Sequence, residues 1–306
     1  MDKSSSKKVL ISGSTGLLGS ATCESLAAQG CKIVRLVRRE VRPGENAISW
    51  DPAAGKLNAT DLEGFDAIVH LSGENIATGH WTAARRKRIW DSRVESTRLL
   101  CNALETTKSK PKVLVCASGS GWYGEGGERE LSEDLPAGED CFFVNLVREW
   151  EAATQPAAAA GIRVVNLRIG VVLTPEGGAL KQMLPAFRLG LGAVIGSGKQ
   201  HTGWLTLREL VNIVQHALAT ESVRGPVNCV APRPVTQNEL GRTLGKVLNR
   251  PVLLHVPLWV VRLILSPEMA EAVGWSQRLV PAKLAASGYR FRDPDLEAAL
   301  RELLGR

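Results

Sequence analysis

The segment ISGSTGLLG, residues 11–19, constrains the fold of this chain more than any other stretch. It follows a short apolar run, KVLIS (8–12), that predicts a strand, and it opens a segment with helical periodicity. Gly13 permits a tight turn, Gly16 lets a pyrophosphate approach the backbone, and Gly19 lets helix and strand pack closely. The N–H groups at the helix start would then bind the phosphates of a dinucleotide. An ordinary glycine-rich turn is the alternative to this predicted cofactor loop, which comprises Gly13, Ser14, Thr15, Gly16, Leu17, Leu18 and Gly19.

The end of the second predicted strand, KIVRLV (32–37), indicates which dinucleotide would bind. An NAD site favours an acidic residue there, which holds the 2′-hydroxyl of the ribose. This chain has Arg38 and Arg39 instead, and guanidinium groups pair with a 2′-phosphate that a carboxylate would repel. The sequence therefore favours NADP(H) as the cofactor. Glu40 lies next to the two arginines, and the alternative is that both are surface charges.

Strands and helices alternate along the first 173 residues, which predicts a parallel sheet. The fold class is α/β, a Rossmann-type doubly wound parallel sheet with a small C-terminal mostly helical subdomain. The later strands are expected at 47–50, 66–73, 112–118, 163–173 and about 225–231, and the helices at 17–29, 81–106, 142–160 and 207–220. Three regions are predicted: a flexible tail over 1–7, a cofactor domain over 8–249 with substrate-cleft insertions from about 174, and a small C-terminal domain over 250–306.

Composition narrows the classes of function. The 306 residues carry a net charge of +7, yet no nucleic-acid module is recognisable, so we expect no nucleic-acid partner. The six cysteines are scattered without a Cys-x-x-Cys pair, which argues against a zinc site or a disulfide framework and favours a reducing compartment. No metal site is expected. We expect a cytoplasmic protein, or one of an organelle stroma or matrix, with a small-molecule substrate.

Two segments bear on other partners. The basic run at 85–88 lies in a predicted helix and is most simply a solvated face. The apolar segment LWVVRLIL (258–265) is too short to span a bilayer, so no membrane span is expected. Core packing or a homodimer contact is its first interpretation, and a membrane-surface helix is the alternative.

Several motifs together resemble those of an atypical short-chain dehydrogenase/reductase (SDR) of the epimerase-like group that carries a C-terminal domain of unknown function. Plant members of that group are labelled SulA-like plastid-division proteins, and animal members are described as NADP-dependent oxidoreductases. The resemblance covers essentially the whole chain. It rests on STGLLG (14–19), ISWDP (48–52), LSGENI (71–76), SGWYG (120–124), WEAA (150–153), RIGVVL (168–173), FRLGLG (187–192), GSGKQ (196–200) and VAPRPVTQNEL (230–240).

The resemblance implies further cofactor contacts. Asp51 should lie near the adenine, and Leu71, Ser72 and Gly73 along the adenosine and ribose. The segment from Arg168 through Ile169 to Val171 should border the nicotinamide. Trp122 stands where the family has the first of two tyrosines, and Thr206–Glu209 replaces a histidine-containing loop.

The proton-transfer pair of ordinary SDR enzymes is missing. Such enzymes use Tyr-x-x-x-Lys, in which the lysine lowers the pKa of the tyrosine. The chain has two tyrosines, Tyr123 and Tyr289, and neither is followed by lysine at the fourth position. Aligning Glu151 with a glutamate common in extended SDRs places Phe143 at the tyrosine position and Val147 at the lysine position.

The same alignment places Arg93 where an asparagine is usual, and Ser118 or Ser120 at the usual serine. Two interpretations follow. The protein could be an NADP-dependent oxidoreductase or epimerase-like enzyme with another acid, for which the candidates are Ser118, Tyr123, Ser120, Glu74 and a bound water. It could instead be a non-catalytic NADP(H)-binding regulator, for example of cell or plastid division.

The predicted substrate cleft draws on residues 177–204. Its candidate contacts are Met183, Lys199, Gln200 and Trp204, each of which could equally serve packing or the surface.

Overall fold

Residues 6–76 and 81–306 are described by the computed structural model of the protein. In chain order the strands and helices are β1 (Lys8–Ser12), α1 (Leu17–Ala28), β2 (Lys32–Val37), β3 (Ala47–Ser49), β4 (Ala67–His70), α2 (Ala83–Asp91), α3 (Val94–Thr106), β5 (Val113–Gly119), β6 (Glu130–Leu131), α4 (Phe142–Ala152), α5 (Gln155–Ala159), β7 (Arg163–Ile169), β8 (Val171–Leu173), α6 (Gly178–Arg188), β9 (Gly192–Ile195), β10 (His201–Thr202), β11 (Trp204–Thr206), α7 (Leu207–Ala219), β12 (Gly225–Cys229), β13 (Val235–Thr236), α8 (Gln237–Leu248), β14 (Val252–Val256), α9 (Leu258–Ile264), α10 (Pro267–Gly274), β15 (Arg278–Leu279), α11 (Ala282–Ala286) and α12 (Leu296–Leu304). Two 3₁₀ turns lie at Ala59–Leu62 and Ser120–Tyr123.

A seven-stranded sheet in the order β12-β7-β5-β4-β1-β2-β3 forms the centre of the molecule, and all of its pairings are parallel. The chain builds β1, β2 and β3 outward and then returns to place β4 on the other side of β1. Ser12 at the end of β1 pairs with Leu36 on one side and His70 on the other. A crevice opens at the carboxyl ends of the strands where the order reverses, and doubly wound proteins bind ligands there. The predicted fold class is confirmed.

Alternate side chains of the strands build a core on each face of the sheet. On one face Val9 and Ile11 pack with α1 and α7 through residues such as Leu26 and Ile213. On the other face Leu10 belongs to a cluster that includes residues of α3 and α5. Both faces are covered, which explains why the central strands read as nearly continuous apolar runs.

Three predicted elements are each divided in two. The helix expected over 81–106 ends at Asp91 and restarts at Val94. The helix expected over 142–160 is interrupted at Ala153–Thr154, before the proline of α5. The strand expected over 163–173 breaks at Gly170, where a Cβ would lie 2.5 Å from the carbonyl oxygen of Gly203. After this break β8 leaves the large sheet and pairs with β11.

The C-terminal part is mostly helical and packs on the rest of the chain. Strand β14 pairs in parallel with β9, and β15 pairs with β6. Residues of α12 share an apolar cluster with α6 and α8. The division into domains at residue 250 stays a prediction, and residues 1–5 of the predicted tail lie outside the described residues. Across 6–76 and 81–306, the structure has no helix with both the length and the apolar character to cross a bilayer.

Candidate functional site

The glycine loop lies at the opening of the crevice, and its geometry requires glycine. Gly13 has a φ of 68°, and a Cβ on it would lie 2.6 Å from the backbone of Leu71. A Cβ on Gly19 would lie 2.1 Å from the carbonyl oxygen of Gly13. A Cβ on Gly16 would approach only Gly13, at 3.3 Å, so the outer side of the loop is open to a ligand. This cradle fits a pyrophosphate.

Helix α1 begins at Leu17, and no side-chain hydrogen bond caps its N-terminus. Gly16 is the residue before the first turn, and that turn holds no acidic residue. The first N–H groups of a helix have no partner within it, and the helix dipole favours an anion there. Ser14 is buried, Thr15 is exposed, and Leu17 and Leu18 are half-buried. Side chains therefore leave the backbone N–H groups of the loop as its main polar surface.

The two arginines after β2 differ in what they contact. Both are exposed, and the register of β2 with β1 places them just beyond the edge that carries the glycine loop. Arg39 donates to Glu45, and this bond together with the N–H of Arg42 lowers the pKa of Glu45 to about 2. Within the part of the chain that the structure describes, Arg38 forms no ion pair. Arg38 is thus the cation more readily available to a 2′-phosphate.

The other predicted adenosine contacts flank this edge. Asp51 is exposed, and its Oδ1 accepts hydrogen bonds from the N–H groups of Ala53 and Ala54, both at 3.1 Å. The segment after β4 begins at Leu71, whose N–H donates to the carbonyl of Ser12. Ser72 is half-buried and Gly73 is exposed. The structure therefore places the predicted adenosine contacts around the carboxyl ends of β1, β3 and β4.

Phe143 and Val147, which occupy the positions of the missing proton-transfer pair, lie beside the end of strand β5. A Cβ on Gly121 would lie 3.4 Å from both Phe143 Cβ and Val147 Cγ2. A Cβ on Gly119 would lie 3.6 Å from the same methyl group of Val147. The loop after β5 and the helix α4 thus pack closely, and apolar side chains fill the place where a tyrosine and a lysine would meet.

Ser118 belongs to a buried ionic network below this point. Its hydroxyl donates to Glu151 Oε1 at 2.7 Å, and Arg168 Nε donates to the same oxygen at 2.8 Å. Arg168 Nη2 donates to Glu151 Oε2 at 2.9 Å, which completes a bidentate pair. Burial alone would lower the pKa of Arg168, but the hydrogen bond and charge of Glu151 outweigh it and raise that pKa. Arg168, a predicted cofactor contact, has a side chain that is 2% exposed and directed into this network.

Tyr123 joins the same network from the 3₁₀ turn. Its hydroxyl donates to Asn228 Oδ1 at 2.8 Å and accepts from Arg168 Nη1 at 3.0 Å. Burial raises the pKa of the Tyr123 phenol, although Arg168 opposes the shift. Glu133 extends the network, because its Oε1 accepts from the N–H groups of Asn228 and Lys283. Both predicted catalytic hydroxyls, Ser118 and Tyr123, are therefore buried and already hydrogen-bonded.

An aromatic cluster covers the same end of α4. Phe143 is its centre, with ring centroids 5.3 Å from Trp81, 5.9 Å from Phe142 and 6.0 Å from Trp275. Trp90 contacts Phe142 at 6.5 Å. These rings come from the segment before α2, from α2 itself, from α4 and from the segment after α10. Phe143 therefore stands at the position where ordinary SDR enzymes have a proton donor, and its ring packs against aromatic side chains from several elements.

Arg93 holds the loop after β4. Its Nη2 donates to the carbonyl of Glu74 at 2.9 Å, and its Nη1 donates to the carbonyl of Ile89 at 3.2 Å. The guanidinium also lies over the ring of Trp150, and burial lowers the pKa of Arg93 to about 10. Where an asparagine is usual, this chain thus has a cation that fixes the backbone beside the predicted cofactor contacts.

His70 is fully buried where β4 ends at the crevice. Its Nδ1 lies 2.6 Å from Ser12 Oγ, and its Nε2 lies 3.0 Å from Thr97 Oγ1. Trp150 Nε1 donates to the same threonine oxygen at 3.0 Å. Burial lowers the pKa of His70 to about 4, so the ring is neutral near pH 7. The hydrogen bonds of His70 to Ser12 and Thr97 therefore connect the ends of β1 and β4 to α3.

Only some of the residues predicted to border the nicotinamide or to line the substrate cleft lie close to the predicted cofactor contacts. Ile169 and Val171 are half-buried, and Ile169 packs in the same clusters as Leu71. The turn at Gly177 lies on the start of α1, because a Cβ there would be 2.8 Å from Leu17 Cδ2.

Of the four predicted substrate contacts, two are interior. Trp204 is 1% exposed and belongs to an apolar cluster with α6 and α8. Gln200 is buried and donates to the carbonyl of Ile195. Met183 packs at the edge of the same cluster, and Lys199 is exposed. Among the described residues, no group of three His, Cys, Asp or Glu side chains is placed to hold a metal ion.

The sequence did not predict which side chains hydrogen-bond to one another in this site. Glu151 was recognisable as a family position, but its pairing with Arg168 and Ser118 depends on three separate elements. Asn228 lies 105 residues after Tyr123, and nothing in the local sequence connects them. The abundance of tryptophan, eight residues in this chain, was the one available signal for an aromatic cluster.

The reversal of strand order beside a glycine loop defines a dinucleotide-binding protein of the Rossmann class. The chain belongs to the NAD dependent epimerase/dehydratase family, whose model matches residues 9–229. Residues 256–303 match a domain of unknown function, DUF1731. These matches confirm the family that the motifs predicted.

Relatives match along nearly the whole chain. Over 300 residues the chain is 39% identical to the epimerase family protein SDR39U1 of Bos taurus, which covers 97% of this chain and 99% of the relative. It is 38% identical over 292 residues to the epimerase family protein Mb2239 of Mycobacterium bovis, covering 95% and 96%. The crystal structure of human SDR39U1 (isoform 2) with NADPH matches with a TM-score of 0.89 and 37% identity, covering 98% of this chain and 99% of the human one.

Proposed function

We propose that this protein binds NADP(H) and acts as an oxidoreductase or epimerase-like enzyme on a small molecule, without the usual tyrosine–lysine pair. The observation that carries the proposal is the open glycine cradle at the switch point, with Arg38 at the end of β2 where an NAD site would favour an acid. The human relative solved with NADPH supports the same cofactor. The reducing, cytoplasmic location and the homodimer stay predictions.

Each part of the cradle has a proposed role in holding the cofactor. The N–H groups of the loop, apart from that of Gly16, which donates to the carbonyl of Gly13, would bind the pyrophosphate, and Arg38 would pair with the 2′-phosphate. Arg39 would contribute when it leaves Glu45. Leu71, Ser72 and Gly73 would line the adenosine and ribose, while Ile169 and Val171 would border the nicotinamide. When bound, NADP(H) supplies the hydride, so the chain itself must orient the substrate and provide a polar contact to its oxygen.

Ser120 is the hydroxyl best placed for that polar contact. It is half-exposed at the start of the 3₁₀ turn, directly after β5, and its side chain makes no hydrogen bond within the described ranges. Ser118 and Tyr123 would first have to leave Glu151 and Asn228. We therefore infer that Ser120 holds the substrate oxygen and that the proton comes from water, with Ser118 and Tyr123 keeping the loop in place.

Cofactor preference tests the first half of the proposal. Calorimetric titration should show NADPH binding more tightly than NADH, because only NADPH carries the phosphate for Arg38. Arg38→Gln should weaken NADPH binding by about 1.5–3 kcal/mol, the usual contribution of a charged hydrogen bond, and leave NADH unchanged. Arg98→Gln, which removes a half-exposed arginine paired with Glu95, is the matched control. Equal affinity of the wild type for both cofactors would contradict the assignment.

Turnover tests the second half. A panel of small carbonyl compounds with NADPH should reveal slow oxidation that Ser120→Ala abolishes. Tyr123→Phe and Ser118→Ala should lower thermal stability more than they lower the rate. If Tyr123→Phe alone abolishes the rate while the protein stays folded, Tyr123 is the proton donor and the role given to Ser120 is wrong.

The alternative is a non-catalytic NADP(H)-binding regulator. The observation that favours it is the replacement of the proton-transfer pair by Phe143 at the centre of an aromatic cluster and by buried Val147. Tight NADPH binding, no turnover across the panel and a cofactor-dependent change in binding to another protein would together support the regulator over the enzyme.

A further inference from the structure

Most of the exposed large apolar side chains lie between residues 189 and 263. Six of them are between 49% and 82% exposed: Leu189, Leu191, Leu253, Leu254, Trp259 and Leu263, named here the apolar surface. Among the described residues, the only other exposed large apolar side chain is Val41, at 36%. Single exposed leucines are common on proteins, but a concentration of this kind marks an interaction site.

The fold brings these six residues onto neighbouring elements. Strand β14 pairs in parallel with β9, with Val252 opposite Gly192 and Leu254 opposite Ala193, and Leu253 lies at the irregularity between these two pairs. Leu191 directly precedes the paired part of β9. The Nε of Arg250 donates to the carbonyl of Arg188 at 2.9 Å and joins the end of α6 to the start of β14. Helix α9 begins two residues after β14 ends, and Trp259 and Leu263, four residues apart, share one side of it.

The charges around the apolar surface are almost all basic. Residues 177–208 and 240–267 contain no aspartate or glutamate. Six exposed cations of these segments make no ion pair in the described part of the chain: Lys181, Arg188, Lys199, Arg242, Arg250 and Arg262. The carboxylates that border these segments in the sequence are Glu176, Glu209, Glu239 and Glu268. Glu209 is buried, Glu239 is paired with Arg233, and Glu268, on the helix α10 that packs on α9, is paired with Arg86. The apolar surface is therefore bordered by unneutralised positive charge.

We propose that the apolar surface docks on an anionic phospholipid bilayer. Exposed leucines and a tryptophan, bordered by arginine and lysine, match the interfacial zone, where apolar groups enter between lipids and cations meet phosphate. A second copy of the chain is disfavoured, because a twofold contact would bring Arg250 and Arg262 close to the same cations of the partner. Since no described helix can span a bilayer, the contact is peripheral. It does not depend on what happens in the dinucleotide crevice.

Sedimentation with vesicles tests this docking. The full chain with NADPH is mixed with vesicles of phosphatidylcholine, or of phosphatidylcholine and phosphatidylglycerol. The protein should sediment with the mixed vesicles and stay in solution with phosphatidylcholine alone. Raising the salt to about 1 M should release most of it, because the screening length falls to about 3 Å. Equal binding to both vesicle types, or none to either, would overturn the proposal.

Matched variants locate the contact. Arg250→Gln with Arg262→Gln should weaken binding to the mixed vesicles by about 25-fold, roughly fivefold for each charge. Trp259→Ser with Leu263→Ser should weaken it at least as much. Arg224→Gln, an exposed arginine at the start of β12, should bind like the wild type. Thermal unfolding and NADPH titration establish that each variant is folded. A protein that is dimeric without lipid, and becomes monomeric in the Trp259/Leu263 variant, would instead assign this surface to a second copy.

Discussion

At the scale of single residues, the pairing of Arg39 with Glu45 limits how many cations can reach a 2′-phosphate. Glu45 accepts from Nη1 and Nη2 of Arg39 and from the N–H of Arg42. Both side chains are partly exposed, so the pair itself contributes little to stability. Its effect on the electrostatics at the end of β2 is larger, because it neutralises one of two adjacent arginines.

Glu45→Gln should therefore strengthen NADPH binding. Removing the carboxylate frees Arg39 and makes the edge more positive, so NADPH affinity should rise by about two- to fivefold at low salt, while NADH affinity should not change. Calorimetric titration of both cofactors measures the effect. Glu105→Gln removes the same charge from the exposed end of α3 and serves as the control. An equal gain for NADH would show that Arg39 acts on the whole dinucleotide and not on its 2′-phosphate.

His70 gives the protein a pH dependence of stability with a defined sign. Its pKa in the folded protein, about 4, lies below the ordinary value of 6.5, so the unfolded chain binds the proton first as the pH falls. The contribution of the neutral ring is fully present above pH 6.5 and is lost as the pH falls from 6.5 towards 4, to a total of about 3 kcal/mol.

Urea unfolding of the wild type and His70→Asn at several pH values checks this dependence. The free energy of unfolding of the wild type should exceed that of the variant near pH 7. The difference should shrink by about 2 kcal/mol by pH 5, because asparagine does not titrate. His255→Asn, at an exposed position, should follow the wild type at every pH. A difference that stays constant from pH 7 to pH 5 would mean that folding does not lower the pKa of His70.

At the scale of elements, the pair of Glu151 and Arg168 connects α4 to β7 beneath the crevice. Glu151→Gln leaves the Arg168 cation buried with an incomplete partner, which should destabilise the protein by about 3–5 kcal/mol. Glu149→Gln, on the same helix and outside the pair, should change stability by no more than about 0.5 kcal/mol. Chemical denaturation measures both values.

A double replacement separates charge from packing in this pair. Glu151→Leu with Arg168→Met removes both charges and keeps apolar volume, so it should be more stable than Glu151→Gln alone. If the double variant is the less stable one, the hydrogen bonds of Arg168 to Tyr123 and of Ser118 to Glu151 are worth more than the cost of burying the charges.

The same elements show how far sequence reasoning reaches. The alternation of strands and helices and the glycine spacing are local patterns, and they predicted the sheet and the cradle. The break between α2 and α3 was not predicted, because the residues at 91–94 contain no proline or glycine and Arg93 owes its position to contacts with Glu74 and Trp150. The buried state of Ser118 and Tyr123 was also hidden, since it depends on Glu151 and Asn228, which are distant in the chain.

At the scale of the whole molecule, the C-terminal segment is tied to the sheet-bearing part by a buried carboxylate. Asp293 accepts from Arg208 Nε at 2.7 Å and from the hydroxyl of Thr206, at the junction of β11 and α7. Burial would raise the pKa of Asp293, but the bonds from Arg208 and Thr206 outweigh it and hold that pKa below its ordinary value. The neighbouring Glu209 is also buried, and its Oε2 accepts from the N–H of Asp293.

These ties, together with the pairing of β14 with β9, predict one cooperative thermal transition for the whole chain. Asp293→Asn should weaken the hydrogen bonds that this side chain accepts from Arg208 and Thr206 and lower stability by about 1–3 kcal/mol, which shifts the transition down by several degrees without splitting it. Glu302→Gln removes the other carboxylate that pairs with Arg208, but Glu302 is largely exposed, so its transition should stay close to that of the wild type. Scanning calorimetry distinguishes the outcomes. Two separate transitions in the wild type would show that the C-terminal segment folds as an independent domain and that Asp293 does not couple it to the sheet.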